Sequence, residues 1–140
     1  MVQLKNLKSF NKIRNSNFKS HCEFFKKRNE LFIIPKVSKN VKTNFLAYPI
    51  IIKKNKYFNR KKFQIYLEKN KIQTRPIFSG NILRHPAFKN LKSNKNKLNS
   101  FKNSDFIMKN GLLIGCHQGL RQKDINYIHQ KISKFINTIK

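Results

Sequence analysis

Apolar residues recur at helical spacing in three stretches of the chain, separated by shorter runs that have the signature of strands. Leu4, Leu7 and Phe10, followed by Phe18, Cys22 and Phe25, predict a helix over residues 2–29, with a break near Asn15-Ser16-Asn17. Asn59 is an N-cap residue type, and Phe63, Tyr66 and Leu67 behind it share one face of a helix that reaches about Asn70. Ile125, Ile128, Ile132, Phe135, Ile136 and Ile139 form a single apolar stripe, so the chain closes on a helix. A shorter helix is expected from an N-cap at Ser104 to about Asn110, with Asp105 at the positive end of its dipole and Gly111 as its stop.

The intervening runs are strand-sized. Residues 31–34 are apolar and stop at Pro35, which suits a short edge strand. Residues 45–53 are rich in aromatic and β-branched side chains, and Pro49 argues for an edge or a bulge. Residues 71–78 make a third strand and residues 112–116 a last, buried one. A helical turn is expected near residues 86–91, and residues 92–103 are polar and Lys/Asn/Ser-rich, the composition of a mobile loop. This order predicts an α+β fold, a small and mostly antiparallel sheet with helices packed on one face. At 140 residues the chain has room for one domain and a connecting helix, and no internal repeat is visible.

Charge pulls the reading elsewhere. Thirty-two Lys and Arg against five Asp and Glu give +27 and a pI near 10.6, a balance common in proteins whose partner is a polyanion. A small basic RNA-binding protein of ribosomal type is therefore the alternative reading, with lysines on phosphates and exposed Phe or Tyr stacked on bases. The basic residues are nevertheless spread along the chain, the densest run being KKNKYFNRKK at residues 53–62. Lys rises together with Asn, Ile and Phe, as a drift towards A/T-rich codons would produce without selection for a ligand. Nonspecific polyanion binding is expected from the charge in either case.

The two cysteines, Cys22 and Cys116, form no C-x-x-C pair and no metal-ligand spacing, so no metal site is expected and a reducing, cytoplasmic setting is the simplest reading. The N-terminal residues lack the apolar core of a secretory signal, and the longest apolar run, residues 45–52, is far short of a membrane span.

Chemistry concentrates in KIQTRPIFSGNILRHPAF, residues 71–88. Pro76 holds Arg75 in extended geometry, Gly80-Asn81 suits a sharp turn, and Arg75, Arg84 and His85 are donors for an anionic ligand. Strand alternation sets Gln73, Arg75 and Ile77 on the face opposite Ile72, Thr74 and Phe78. A second segment, NSDFIMKNGLLIGCHQGL at residues 103–120, places His117 between a strand end and Gly119.

Thr74-Arg75 with Gly80-Asn81, and Gly115-Cys116-His117 with Gly119-Leu120, resemble the C-terminal part of the DegT/DnrJ/EryC1/StrS family of pyridoxal-phosphate (PLP) enzymes. The subgroup closest in appearance is the lipopolysaccharide-biosynthesis 3-dehydratases acting on nucleotide-linked 4-keto-6-deoxyhexoses. The resemblance implies the small C-terminal domain of a fold-type I PLP enzyme, with residues 1–30 as the helix leaving a large domain that this chain lacks and residues 31–140 as the small domain. It implies a homodimer, a nucleotide-linked 4-ketohexose substrate, and PLP or pyridoxamine phosphate held by the large domain. There a lysine, or in the dehydratases a histidine, stands at the cofactor and an acidic residue pairs with its ring nitrogen. None of Glu23, Glu30, Glu68, Asp105 and Asp124 has such a setting, so this chain alone is expected to bind no cofactor, to supply no catalytic residue and to be silent.

The residues expected at the substrate are Arg75, Asn81, Arg84, His85 and His117. Each has a duller reading beside it. Arg75 could be a solvated arginine, turn chemistry suffices to explain Asn81, and a loop-stabilising hydrogen bond suffices for His117. Cys116 reads as a small buried hydrophobe, and His21 and His129 as exposed helix residues. Where the family pattern has Thr ahead of the last helix this chain has Arg121, so an N-cap worth about 1 kcal/mol is expected to be missing.

Overall fold

A computed structural model describes residues 2–41, 43–88 and 100–139. In chain order it contains α1 (Val2–Lys5), α2 (Leu7–Lys26), β1 (Phe32–Ile33), β2 (Ala47–Ile52), α3 (Arg60–Lys69) and β3 (Thr74–Pro76), then 3-10 turns at Ile82–Arg84 and Pro86–Phe88, and finally α4 (Lys102–Asn110), β4 (Gly111–Gly115) and α5 (Gln122–Ile139). The four strands form one sheet in the order β1-β2-β4-β3, with every neighbouring pair antiparallel. The α+β architecture expected from the sequence is therefore the one found.

Alternation divides the sheet into two faces. Tyr48, Ile50 and Ile52 of β2 and Leu112 and Ile114 of β4 are buried, and they share the core with Phe18 and Phe25 of α2, Phe63 and Leu67 of α3, and Ile128, Ile132 and Phe135 of α5. Phe63, Tyr66 and Phe58 all pack against Phe135, with ring centroids 4.8–5.2 Å apart. Ala47, Pro49, Leu113, Gly115 and Arg75 belong to the other face, which the three long helices leave uncovered.

Three local expectations change. The helix break at Asn15-Ser16-Asn17 does not occur, since α2 runs unbroken through it. Asn17 is buried there and its amide is used in tertiary hydrogen bonds, so it does not compete for the helix's own backbone. The helix placed after a Ser104 cap begins at Lys102 with Phe101 in the N-cap position. Asp105, in its first turn, faces Asn81 and Arg84. Strand β2 is interior to the sheet, but β1 pairs only with Ile51 and Ile52, so at Pro49 the sole neighbour is β4 and the proline disrupts no second ladder.

Other expectations hold. Asn59 caps α3, its side chain accepting from the Lys62 N–H at 2.9 Å. Gly111 ends α4 and passes straight into β4. Arg121 offers α5 no cap of its own, and Asp124 compensates by accepting the Arg121 N–H at 2.9 Å. The expected turn at residues 86–91 is seen as Pro86–Phe88; its last residues and residues 92–99 of the expected mobile loop lie outside the described residues.

Candidate functional site

The uncovered face of the sheet is the floor of a broad cleft of about 1180 Å³. In register across that floor, Arg75 of β3 lies opposite Leu113 of β4, and Leu113 lies opposite Pro49 of β2. Residues 35–38, 41 and 43–46 contribute one part of the lining, Ile77 and Phe78 another, and His117 lies just past the end of β4. The stacking of Phe45 on Phe18, with centroids 3.5 Å apart, ties the first of these segments to α2.

Arg75 is exposed and has no hydrogen bond or ion pair to any described residue, so its guanidinium is available to a ligand. His117 accepts the Gly119 N–H at Nδ1, 3.1 Å away. That bond leaves Nδ1 without a proton and makes Nε2 the N–H donor. Both the loop-stabilising role and availability to the cleft are thus open to His117. Its corner is pinned from below: the Asn17 amide donates to the carbonyls of His117 and Leu120 at 3.1 and 3.2 Å. Arg14 donates to Gln118 at 2.7 Å.

His21 and His129 overturn the expectation that they are exposed. His21 is fully buried and its Nε2 lies 3.0 Å from the carbonyl of Gly115. Since that carbonyl can only accept, Nε2 carries the proton, Nδ1 is bare, and His129 donates to it from Nε2 at 3.0 Å. Burial lowers the proton affinity of His21 to about 4, against a smaller opposing contribution from the Gly115 bond. For His129 burial, with His21 and Arg28 nearby, lowers it to about 3. The pair is neutral at pH 7 and serves to hold α2, α5 and the end of β4 together.

The sequence signal for this support was the row Arg14, Asn17, His21, polar residues one helical turn apart beside the apolar stripe of α2. Such a row can equally be a solvated edge, and only the packed partner shows which. Cys116 is fully buried, as expected, and burial raises its thiol to about 12.

Asn81, Arg84 and His85 lie outside the cleft lining. Asn81 is buried, accepts the Leu83 N–H at 3.1 Å and donates to Asp105 at 2.8 Å. Arg84 grips both oxygens of the same carboxylate. These two donors, Arg84 first, hold the Asp105 carboxyl down at about 2. The network fastens the turn after β3 to α4. Gly80 at φ +62 completes it by lying flat against Met108. His85 is exposed, with its ring 6.4 Å from that of Phe88. The structure therefore puts Arg75 and His117 on the lining of one cleft, with Arg75 in register with Leu113 and His117 past the end of β4, and sets the other three in the turn after β3.

The sequence model of the DegT/DnrJ/EryC1/StrS aminotransferase family matches residues 1–133. The chain belongs to this family. It is 27% identical over 135 residues to the lipopolysaccharide biosynthesis protein RfbH of Salmonella typhimurium, a match covering 96% of this chain and 30% of RfbH. Among solved structures it resembles the E. coli GDP-4-keto-6-deoxy-D-mannose-3-dehydratase with bound hydrated PLP, at 25% identity and a TM-score of 0.71, over 92% of this chain and 32% of that one. The aminotransferase of Psychrobacter cryohalolentis shares the fold, at 14% identity and a TM-score of 0.84, over 99% and 37% of the two chains. The chain thus spans roughly a third of the length of these family members.

The cleft residues do not by themselves fit PLP, the group that family structures contain. A pyridinium nitrogen needs a carboxylate or comparable partner, and among the described residues no acidic side chain lines the cleft. Asp105 is held by Arg84 and Asn81, Glu68 accepts from both the hydroxyl and the N–H of Thr74, and Asp124 caps α5. Glu23 lies 4.0 Å from Lys19, exposed on α2, and Glu30 is near Arg28. Among the described residues no group of His, Cys, Asp or Glu has metal-holding geometry, and no helix is long and apolar enough to cross a membrane.

Proposed function

We propose that this chain is the small domain of a PLP-dependent enzyme acting on a nucleotide-linked 4-keto-6-deoxyhexose, by transamination or 3-dehydration, in cell-surface polysaccharide synthesis. Residues 1–30 form the connecting helix and residues 31–140 the domain proper. A large domain supplies cofactor and catalytic groups, and the assembly is a homodimer in the cytoplasm. The observation that carries this reading is the union of a family match over nearly the whole chain with a cleft whose charged lining residues among those described, Lys36 and Arg75, are both cationic. An arginine with no partner among the described residues suits the phosphates of a nucleotide.

In this reading Arg75 meets the anionic part of the substrate and His117 offers its Nε2–H. Asn81 and Arg84 act through Asp105 by setting the turn that borders the cleft, and His85 sits at its outer end. Coexpression with a large-domain polypeptide of the family is the test, read by absorbance of bound cofactor and by turnover of nucleotide 4-ketohexoses. Cofactor uptake with turnover that falls on Arg75→Ala supports the proposal. A pair that takes up no cofactor refutes it.

A further inference from the structure

The residue that accounts least well for itself within the chain is Phe78. It is 86% exposed, the most exposed of the large apolar side chains among the described residues. Its backbone has φ +46, in the left-handed region that bulky L-residues rarely occupy. Water around an aromatic ring and a strained backbone are both unfavourable, and no described ring stacks on Phe78 to offset them. Strain of this kind persists only where the surroundings over-determine it, and it gathers at ligand clamps. Here the surroundings are plain: β3 ends at Pro76, Gly80 returns an N–H to the carbonyl of Ile77 at 3.1 Å, and the Asn81–Asp105–Arg84 network fixes the turn on the C-terminal side.

The strain also changes which way the side chain faces. Strand alternation would put Phe78 opposite Arg75, yet both line the same cleft. An apolar ring, the Arg75 guanidinium three residues away and an N–H donor at His117 thus border one space, and among the described residues no carboxylate does. That donor set suits an anion carrying a flat ring. The cleft is large enough for a nucleotide.

We propose that Phe78 is a ligand-stacking residue, its ring lying against the base of a nucleoside diphosphate whose phosphates meet Arg75. This deepens the small-domain reading and rests on it. The test is equilibrium dialysis of the full chain with GDP, and with inorganic pyrophosphate as a ring-free control, at physiological ionic strength. Phe78→Ala weakens GDP binding about tenfold and leaves pyrophosphate binding unchanged, while Phe78→Trp retains GDP. Arg75→Ala weakens both ligands.

Equal GDP affinity in wild type and Phe78→Ala overturns the proposal, as does an equal loss of GDP and pyrophosphate, or wild-type protein that shows no saturable GDP binding. The small-domain reading is judged separately, by cofactor uptake in the reconstituted pair. Urea unfolding of Phe78→Ala and Phe78→Gly guards against misfolding. The glycine variant is the more stable of the two because glycine adopts positive φ freely. If Phe78→Ala is unfolded, the side chain is a packing element and the proposal is overturned.

Discussion

Lowering the pH from 7 to 4 destabilises this protein through His21 and His129, before its carboxylates contribute much. His21 is fully buried with a proton affinity of about 4 against an ordinary 6.5. In the unfolded chain it takes up a proton as the pH falls through 6.5; in the folded chain it resists until about 4. The unfolded state therefore binds more protons in that window, so stability is full above 6.5 and declines on going down to 4. Converted at 1.36 kcal/mol per pH unit, His21 alone accounts for about 3 kcal/mol of loss.

His129 acts in the same direction, its affinity lowered to about 3. The structural reason is that Nδ1 of His21 faces an N–H of His129, so a second proton on His21 would set donor against donor inside the core. Asp105, held at about 2, and Glu68, lowered by its bonds to Thr74, lose their contributions mainly below the ordinary carboxylate values of 3.8 and 4.5. Urea unfolding at pH 7 and at pH 4.5, for wild type and for His21→Gln with His129→Gln, separates the contributions. The wild type is expected to lose about 3 kcal/mol or more, His21 and His129 together, and the double variant much less. Equal losses in the two proteins would refute the argument.

Other substitutions test the remaining contacts. Gly80→Ala should cost about 2–4 kcal/mol in urea unfolding, from the left-handed backbone and overpacking together, since an added Cβ would lie 2.6 Å from Cγ and 2.9 Å from Cα of Met108. Asn17→Ala should cost about 1–3 kcal/mol by removing the amide that holds the His117 and Leu120 carbonyls, the first of which keeps only the Leu120 N–H at 3.1 Å, and amide exchange of residues 116–120 should quicken. Tyr48→Phe should leave stability unchanged or raise it by about 1 kcal/mol, because the buried hydroxyl, near the Cys22 and Cys116 thiols, makes no well-formed hydrogen bond to the described residues. With +27 of net charge, the chain should bind RNA and heparin alike, with an affinity that falls steeply in salt; a saturable, sequence-selective component in a gel-shift titration would contradict that.

Much of the scaffold was written in local patterns. The apolar stripe of α5, the Asn59 cap and the Gly111 stop are decided by residues within one or two turns of each other, so they are visible without partners. Arg75 was legible for a similar reason: two-residue alternation and the adjoining proline set its direction. What no local pattern could decide was who meets whom across the fold. Asn17 and His21 look like helix-breaking or solvated residues until the end of β4 arrives with carbonyls to be satisfied. Pro49 looks like an edge residue until β1 proves too short to reach it. Phe78 departs from alternation because the Gly80–Met108 contact and the Asp105 network, formed across at least 21 residues of chain, hold a backbone conformation that its own neighbours in sequence would not choose. Periodicity sets which side of an element is apolar; the pairing of strands and the satisfaction of buried polar groups, both nonlocal, decide which polar residues are structure and which remain free to meet a ligand.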